Sequence, residues 1–271
     1  MSSSVKDYYD GFTGHLVLDF VRSSPRLRAQ YAFFEDAIPA GVERVLVVGC
    51  GTGEGAHHLA TRAATSAKVL AVDISPKNVE IAQALFPHPR IEYRVVDITA
   101  DDFDAEPFDA IVFPDVYEHI PVDARAGLHA AIARLLRERG RVLLTVPSPA
   151  HQAMLKAAGK GLQVVDETVE LTDLTRFADD IGGHLKFFSL ISVFNIGDYV
   201  HAVLGAGSTE ERPIERTADA VAIERIAPPE AGLSRMIARA RRYLGRSSRR
   251  RLVKSRLGPD AIDSARRMLD H

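Results

Sequence analysis

The chain has 271 residues, of which 46% are hydrophobic and 26% are charged, and its formal net charge is −2. This composition is typical of a folded globular protein and excludes disordered and fibrous chains. The near-zero charge excludes an all-round cationic surface for polyanions, and the single cysteine, Cys50, excludes an internal disulfide. No apolar run approaches the roughly 20 residues that span a bilayer, and no apolar signal core opens the chain, so we expect a cytoplasmic protein.

Residues 1–40 are polar and aromatic, with an amphipathic stretch from Pro25 to Ile38. Apolar side chains at helical spacing are typical of a helix that lies against a core. We therefore expect residues 1–40 to form an N-terminal helical cap across the front of the main domain.

Short apolar runs then alternate with amphipathic stretches, which is typical of strand–helix units around a parallel sheet. The runs that predict strands cover residues 44–49, 68–73, 91–97, 108–115 and 141–148. Helices are predicted over residues 53–65, 76–85 and 122–139. Ser75 and Pro76 supply an N-cap and a first-turn proline, and Gly140 is the predicted C-terminal cap of the last of these helices.

The pattern changes after the fifth strand. Residues 149–170 are predicted to be an insertion over the mouth of the active site, and a helix capped by Thr172 follows. The apolar runs 184–194 and 198–204 are too close in the chain for a helical crossover, so they predict an antiparallel pair at the sheet edge. The sequence therefore predicts an α/β domain over residues 41–205, with a doubly wound, seven-stranded, mostly parallel sheet whose last strand is antiparallel.

Beyond Gly205 the strand–helix pattern is lost, and residues 206–271 are predicted to form a basic helical C-terminal extension. Every charged residue from Leu233 to Leu257 is an arginine or a lysine. Such a helix can pack on the domain, pack on a second subunit in a homodimer, or contact the phosphates of a nucleic acid. We expect packing, with nucleic-acid contact as the alternative.

The first predicted strand ends in the glycine-rich turn GCGTG, residues 49–53. Glycines let a strand turn sharply into a helix and let the backbone approach a ligand closely. A dinucleotide fingerprint would have its third glycine at position 54, which is Glu54 here. The spacing therefore predicts a ligand-binding turn without a dedicated pyrophosphate cradle.

Two carboxylates follow the next two strands. Asp73 ends the second strand, where an acid can accept hydrogen bonds from both hydroxyls of a ribose. Asp97 and Ile98 end the third strand, where they can contact an adenine edge. A tight turn or a helix cap would explain each feature alone, but doubly wound folds bind ligands where the carboxyl ends of consecutive strands meet.

These motifs resemble those of the class I S-adenosylmethionine (SAM)-dependent methyltransferases, over about residues 40–205. VLVVGCGTG, VLAVDIS and VVDI resemble the first three motifs of the family, and FDAIVFPDVYEHI and RVLLTVPSP resemble the fourth and fifth. The terminal strand pair matches the reversed last strand of that fold. The resemblance implies bound SAM and the following contacts: Gly49, Gly51 and Gly53 near the methionine part, Asp73 and Ile74 at the ribose, Asp97 and Ile98 at the adenine, and Tyr9 folded over the cofactor.

One position departs from the family pattern. Val47 stands two residues before the first glycine, where the family usually has an acid. That acid normally supports the glycine loop, so the conformation of the loop is left open.

Further polar residues follow the fourth and fifth strands. Asp115, Glu118 and His119 come directly after strand four, and His151 follows strand five. Two carboxylates and two histidines could bind a divalent ion such as Mg²⁺, and a similar acid-x-x-Glu-His arrangement occurs in metal-dependent methyltransferases of RNA ends and quinone precursors. The alternatives are catalysis by Glu118, His119 and His151 without a metal, and a purely structural role.

The acceptor is indicated only by resemblance. The insertion 149–170, the stretch LQVVDE (162–167) and the ending SVFNIGDYVHAVL (192–204) resemble methyltransferases encoded with polysaccharide-building enzymes. This resemblance implies a sugar O-methyltransferase, with a methylated-mannose oligosaccharide precursor as the suspected acceptor. A nucleic-acid methyltransferase is one alternative, but strand four lacks the Asn/Asp-Pro-Pro-aromatic signature that grips a flipped base. A non-catalytic SAM-binding regulator is the other, and the intact polar residues after strands four and five argue against it.

Overall fold

The structure is a computed structural model that describes residues 3–100, 103–159, 161–206 and 233–268. The helices in these ranges are α1 (Ser3–Arg22), α2 (Pro25–Ala37), α3 (Glu54–His58), α4 (Pro76–Leu85), α5 (Val122–Leu135), α6 (Pro149–Ala158), α7 (Leu171–Asp180), α8 (Leu233–Leu257) and α9 (Ala261–Arg267). The strands are β1 (Arg44–Val48), β2 (Lys68–Asp73), β3 (Ile91–Val95), β4 (Phe108–Pro114), β5 (Leu136–Pro147), β6 (Gly183–Ile191) and β7 (Tyr199–Ala206).

The seven strands form one sheet in the order β3-β2-β1-β4-β5-β7-β6. Strands β1 to β5 pair in parallel, whereas β7 is antiparallel to both of its neighbours, β5 and β6. The predicted fold class is therefore confirmed. The strand order reverses between β1 and β4, and doubly wound sheets bind ligands beside the carboxyl ends of the strands at such a point.

Both faces of the sheet are buried, because helices cover each of them. Along β1 the side chains alternate, so that Leu46 and Val48 join one apolar cluster and Val45 and Val47 join the other. The first cluster includes side chains of α5 and α7, and the second includes side chains of α2 and α3. Strands buried on both faces read as continuous apolar runs, which is why β1, β2 and β4 could be predicted from the sequence.

The end of α5 differs from the prediction. The helix stops at Leu135 rather than Arg139, and the next residues already pair with β4 as the first part of β5. The Arg137 guanidinium donates to Oδ1 of Asp109 at 2.8 Å, which ties the early part of β5 to β4. Gly140 therefore lies inside a strand and is not a helix cap.

The other helix boundaries follow local capping. The Ser75 hydroxyl accepts a hydrogen bond from the N–H of Asn78 at 3.1 Å, as its predicted N-cap role requires. The predicted cap at Thr172 is wrong, because the N-cap is Glu170, two residues earlier, and it forms a capping box with Asp173. Within the predicted insertion, α6 begins after Ser148 and gives way to an irregular segment.

The helices near the two ends of the chain meet at one side of the sheet. Helices α1, α4, α8 and α9 share a small apolar cluster formed by Val17, Leu18, Phe20, Val21, Leu85, Phe86, Val253, Ile262 and Ala265. The predicted C-terminal extension includes residues 207–232 and 269–271, which lie outside the described residues. No helix in the described ranges has a segment long and apolar enough to cross a bilayer.

Candidate functional site

A cavity of about 370 Å³ opens beside the carboxyl ends of β1 to β4. It is lined by most of the residues that the sequence singled out: Tyr9, Gly49, Gly51, Asp73, Ile74, Asp97, Ile98, Asp115, Glu118 and His119. The two exceptions are Gly53 and His151. Residues from motifs up to 110 positions apart in the chain therefore line one cavity.

The glycine turn adopts a backbone conformation that side chains rarely allow. Gly49, Gly51 and Gly53 have φ angles of 74°, 52° and 83°. A Cβ atom on Gly49 would lie 2.3 Å from Cγ2 of Val116, so the loop also packs closely against the segment after β4. A Cβ atom on Gly53 would lie 2.8 Å from the Cβ of Ala82, which shows that Gly53 serves helix packing and does not face the cavity.

The loop is held without an acid at position 47. The N–H groups of Gly49 and Cys50 donate to the Val72 carbonyl at 2.8 Å and 2.9 Å. The Gly51 N–H donates to Oδ2 of Asp73 at 2.9 Å. The carboxylate at the end of β2 thus supports the glycine loop, although Val47 stands where the family usually has the supporting acid.

Asp73 is buried and its carboxylate is fixed from several sides. Besides Gly51, it accepts hydrogen bonds from the Ser75 N–H at 2.9 Å and the Asn78 side-chain amide at 3.2 Å. Burial raises the pKa of Asp73, and the hydrogen bonds oppose that rise. A carboxylate fixed in this way at the cavity wall can accept hydrogen bonds from a vicinal diol.

The third strand contributes Asp97 and Ile98, both nearly fully buried. Oδ1 of Asp97 accepts from the N–H of Thr99 at 3.1 Å and from its hydroxyl at 2.6 Å. Across the cavity, helix α1 contributes Tyr9, whose pKa is raised first by burial and then by the negative charge of Glu118. Tyr9 therefore lies within electrostatic reach of the residues after β4.

The residues Asp115, Glu118 and His119, which we call the post-β4 cluster, form the other part of the cavity wall. Glu118 is 2% exposed, and its Oε2 has no hydrogen-bond partner among the described residues. Burial raises the pKa of Glu118 to about 8. The Nδ1 of His119 lies 2.8 Å from the Val165 carbonyl. Because a carbonyl can only accept, Nδ1 carries the proton and Nε2 is left as the basic nitrogen.

Electrostatics keep His119 neutral. Burial lowers the pKa of His119, although the Val165 carbonyl and the nearby Asp166 favour the charged form. The Nε2 atom lies 3.9 Å from Oε1 of Glu118, too far for a hydrogen bond. The arrangement presents a neutral imidazole with a lone pair at a cavity wall, which is the form that a general base requires.

The predicted metal set of Asp115, Glu118, His119 and His151 does not assemble. Asp115 forms an ion pair with Arg26 through Oδ2, and its Oδ1 accepts from the Thr145 hydroxyl at 2.9 Å. His151 lies off the cavity in α6, with its ring packed beside Tyr199 at 5.6 Å between centroids. In the described part of the chain, no group of three or more His, Cys, Asp or Glu side chains is arranged to hold a metal ion. The geometry therefore does not bring the four predicted Mg²⁺ ligands together, and it leaves His151 apart from the other three.

The structure adds residues that the sequence did not indicate. Arg26 comes from the first turn of α2, and Val165 and Asp166 come from the irregular segment after α6. Arg26 belongs to no motif, and only the packing of α2 brings it to the cavity. Val165 and Asp166 lie in the LQVVDE stretch, where Asp166 lines the cavity and the Val165 carbonyl contacts His119.

Comparisons with known proteins concern the domain that contains this cavity. Residues 45–140 match a family model described as a methyltransferase domain. Two ubiquinone biosynthesis O-methyltransferases are similar in sequence. The protein from Methylocella silvestris is 38% identical over an alignment that covers 28% of this chain and 30% of the relative. The protein from Dechloromonas aromatica is 31% identical over 42% of this chain and 48% of the relative. The chain thus spans less than half the length of these curated relatives.

Solved structures share the fold. A chain in the complex between the Haloferax volcanii Trm112 methyltransferase activator and its methyltransferase has a TM-score of 0.62 and 16% identity, covering 77% of this chain and 100% of the other. The N-methyltransferase NodS from Bradyrhizobium japonicum, in complex with S-adenosylhomocysteine (SAH), has a TM-score of 0.55 and 16% identity. The match covers 68% of this chain and 89% of the NodS chain. The fold is that of the class I methyltransferases. Residues 45–140 thus match a methyltransferase domain model and lie within a sheet of this fold.

Proposed function

We propose that this chain is a SAM-dependent O-methyltransferase that acts on a hydroxyl group of a small acceptor, with His119 as the general base. The observation that carries the proposal is the His119 imidazole at the cavity wall, with Nδ1 on the Val165 carbonyl and Nε2 left as the basic nitrogen. A hydroxyl is a poor nucleophile at neutral pH, so its methylation benefits from a base within reach.

The cavity residues fit SAM. Gly49 and Gly51 have no side chains to occupy the space for the methionine part, and the buried Asp73 carboxylate suits the ribose diol. Asp97 and Ile98 are the expected adenine contacts, and Tyr9 is the expected cover. The unpartnered Oε2 of Glu118 provides a negative charge, once ionised, in a cavity that receives a positively charged sulfonium.

The chemistry needs one base and good alignment. When bound, SAM supplies an electrophilic methyl group, and SAH is the leaving product. The acceptor oxygen forms the new C–O bond while its proton passes to Nε2 of His119. The Val165 carbonyl keeps the imidazole in the required tautomer, and the buried wall of the cavity limits competing water.

The proposed acceptor is a polyol such as a sugar or oligosaccharide, with a mannoside as the specific suggestion. Gln152, Gln163 and Asp166 line the cavity and offer both donors and acceptors to several hydroxyl groups. A hydroxylated quinone precursor is the second candidate, favoured by the two ubiquinone biosynthesis O-methyltransferases among the relatives.

Labelled methyl transfer tests the proposal. Purified protein is incubated with [methyl-³H]SAM and separate panels of sugars, dihydroxylated aromatic compounds and RNA, and SAH release is measured in parallel. We expect His119-dependent labelling in one of the first two panels. Labelling of RNA alone would support a nucleic-acid methyltransferase, and SAM binding without any turnover would support a non-catalytic regulator.

The oligomeric state needs a separate experiment. We propose a homodimer in which the basic helix α8 contributes to the interface. Light scattering of the full chain, and of a variant with exposed α8 arginines replaced, tests this arrangement; a monomeric wild-type protein would contradict it.

A further inference from the structure

The carboxylate of Asp115 is held in a fixed position at the end of β4. Asp115 has a φ of 54°, a conformation that non-glycine residues adopt infrequently. Its N–H donates to the Thr145 carbonyl at 3.0 Å, and its Oδ1 accepts from the Thr145 hydroxyl at 2.9 Å. That hydroxyl in turn accepts from the side-chain amide of Gln30 at 2.6 Å. Gln30 and Thr145 are both buried, so this network leaves Asp115 little freedom.

Arg26 lies one helical turn before Gln30 on α2 and completes the network. Its guanidinium forms an ion pair with Oδ2 of Asp115, and both side chains line the cavity. The side chains of Arg26 and Asp115 are only 24% and 10% exposed, so this pair is shielded from water more than a surface salt bridge. Both carboxylate oxygens of Asp115 are thus engaged by the protein itself.

The charge of Arg26 also reaches the rest of the post-β4 cluster. Burial is the main cause of the raised pKa of Glu118 and of the lowered pKa of His119, and the positive charge of Arg26 acts to lower both. Arg26 therefore acts on all three members of the cluster, whereas the charge of Arg125 acts on Glu118.

We infer that Arg26 supplies the positive charge that an acid-x-x-Glu-His cluster otherwise takes from a divalent metal ion, so that this site works without one. The inference rests on the proposed function and names Arg26 as a positioning residue for it. The guanidinium pairs with Asp115 and neutralises its charge. A dication at the same carboxylate would have to displace Arg26 or be repelled by it.

Removal of the guanidinium should therefore expose a latent cation site. We expect a Mn²⁺ titration that is monitored by the electron paramagnetic resonance signal of free Mn²⁺ to detect no stoichiometric binding to the wild-type chain. Arg26→Ala should bind one Mn²⁺ at least about tenfold more tightly, because it frees the Asp115 carboxylate and removes the positive charge that repels a dication. The double variant Arg26→Ala/Asp115→Asn should lose that site, and Arg26→Lys should behave like the wild type.

Two results would overturn the inference: stoichiometric Mn²⁺ binding to the wild type that Asp115→Asn abolishes, or an Arg26→Ala variant that folds and binds no more Mn²⁺ than the wild type. Circular-dichroism melting establishes which variants fold, and Arg26→Gln replaces Arg26→Ala if the latter does not. The Mn²⁺ titration of the wild-type chain tests the inference whether or not the variants fold.

An activity arm separates the inference from the proposed function. With an identified acceptor, the wild-type enzyme should keep its full rate in excess EDTA. A rate that vanishes in EDTA and returns with Mg²⁺ would refute the role of Arg26 and leave the methyltransferase proposal standing. A protein that binds SAM but transfers no methyl group would refute the proposed function, and the Mn²⁺ result would still stand.

Discussion

The cavity has two parts that are built in different ways. The cofactor part, formed by the glycine turn, Asp73 and Asp97, comes from three consecutive strand ends, and its contacts are mostly local or between neighbouring strands. The acceptor part combines the post-β4 cluster with Arg26 from α2 and Val165 from the segment after α6. The first part is a property of the fold, whereas the second depends on long-range packing.

This difference decides how each part should respond to substitution. Changes in the cofactor part should alter the affinity for SAM and SAH, because we propose that its backbone and carboxylates contact the portion of the molecule that SAM and SAH share. Changes in the acceptor part should alter turnover and leave that affinity nearly unchanged. The predictions below follow this division, from the largest expected effect to the smallest.

Replacement of His119 by alanine should give the largest effect. Loss of a general base lowers kcat by about 10²- to 10⁴-fold, while SAH affinity in titration calorimetry should stay close to the wild-type value. His151→Ala is the matched control, since His151 lies off the cavity, and it should keep most of the activity. An equal loss in both variants, or loss of SAH binding in His119→Ala, would contradict the assigned role.

Gly49→Ala should weaken SAH binding by about 100-fold, or about 2.7 kcal/mol. The added Cβ meets Val116 at 2.3 Å, and the φ of 74° is unfavourable for alanine. Gly41→Ala is a sharp control, because Gly41 has a φ of 79° but nothing within 4 Å of the added Cβ. If both variants bind SAH equally well, the close approach at Gly49 does not matter for the cofactor.

Asp73→Ala should weaken SAH binding by about 1–3 kcal/mol, because it leaves the ribose hydroxyls and the Gly51 N–H without an acceptor. Glu92→Gln, on the exposed part of the neighbouring strand, should not change the affinity. Unchanged affinity in Asp73→Ala, measured by calorimetry on folded protein, would remove Asp73 from the cofactor site.

Glu118 should make the stability of the protein depend on pH. Its pKa rises from 4.5 in the unfolded chain to about 8 in the fold, so the folded state binds more protons between these values. The free energy of unfolding should therefore fall as pH increases through this window, with a slope of at most about 1.4 kcal/mol per pH unit from this group. Urea titrations at several pH values should show this slope in the wild type and not in Glu118→Gln. If the difference in unfolding free energy between the wild type and Glu118→Gln does not vary with pH, the pKa of Glu118 is not raised in the folded state.

The sequence was sufficient to place the glycine turn, Asp73 and Asp97 at one edge of the sheet, because its signals there are local. A strand buried on both faces must be an apolar run, a sharp turn needs glycine, and parallel strands bring their carboxyl ends together. The same reasoning placed β2 and the Ser75 cap correctly. It failed at the end of α5, where the ion pair between Arg137 and Asp109 binds the chain to β4.

The acceptor part could be predicted only in outline. Asp115, Glu118 and His119 were placed correctly at one cavity, but no local pattern indicates which cation would neutralise them. Arg26 precedes Asp115 by 89 positions in the chain, and only the packing of α2 on the sheet brings the two together. His151 was grouped with the cluster by its position after β5, whereas α6 turns its ring toward Tyr199.

The structure of the complex with SAH would test the central claim most directly, because the claim is that the two parts of the cavity meet at the sulfur of the cofactor. We predict ribose hydroxyls on the Asp73 carboxylate, adenine beside Ile98, and the sulfur facing the space in front of Nε2 of His119. A ligand bound elsewhere, or one whose sulfur faces away from His119, would contradict the account.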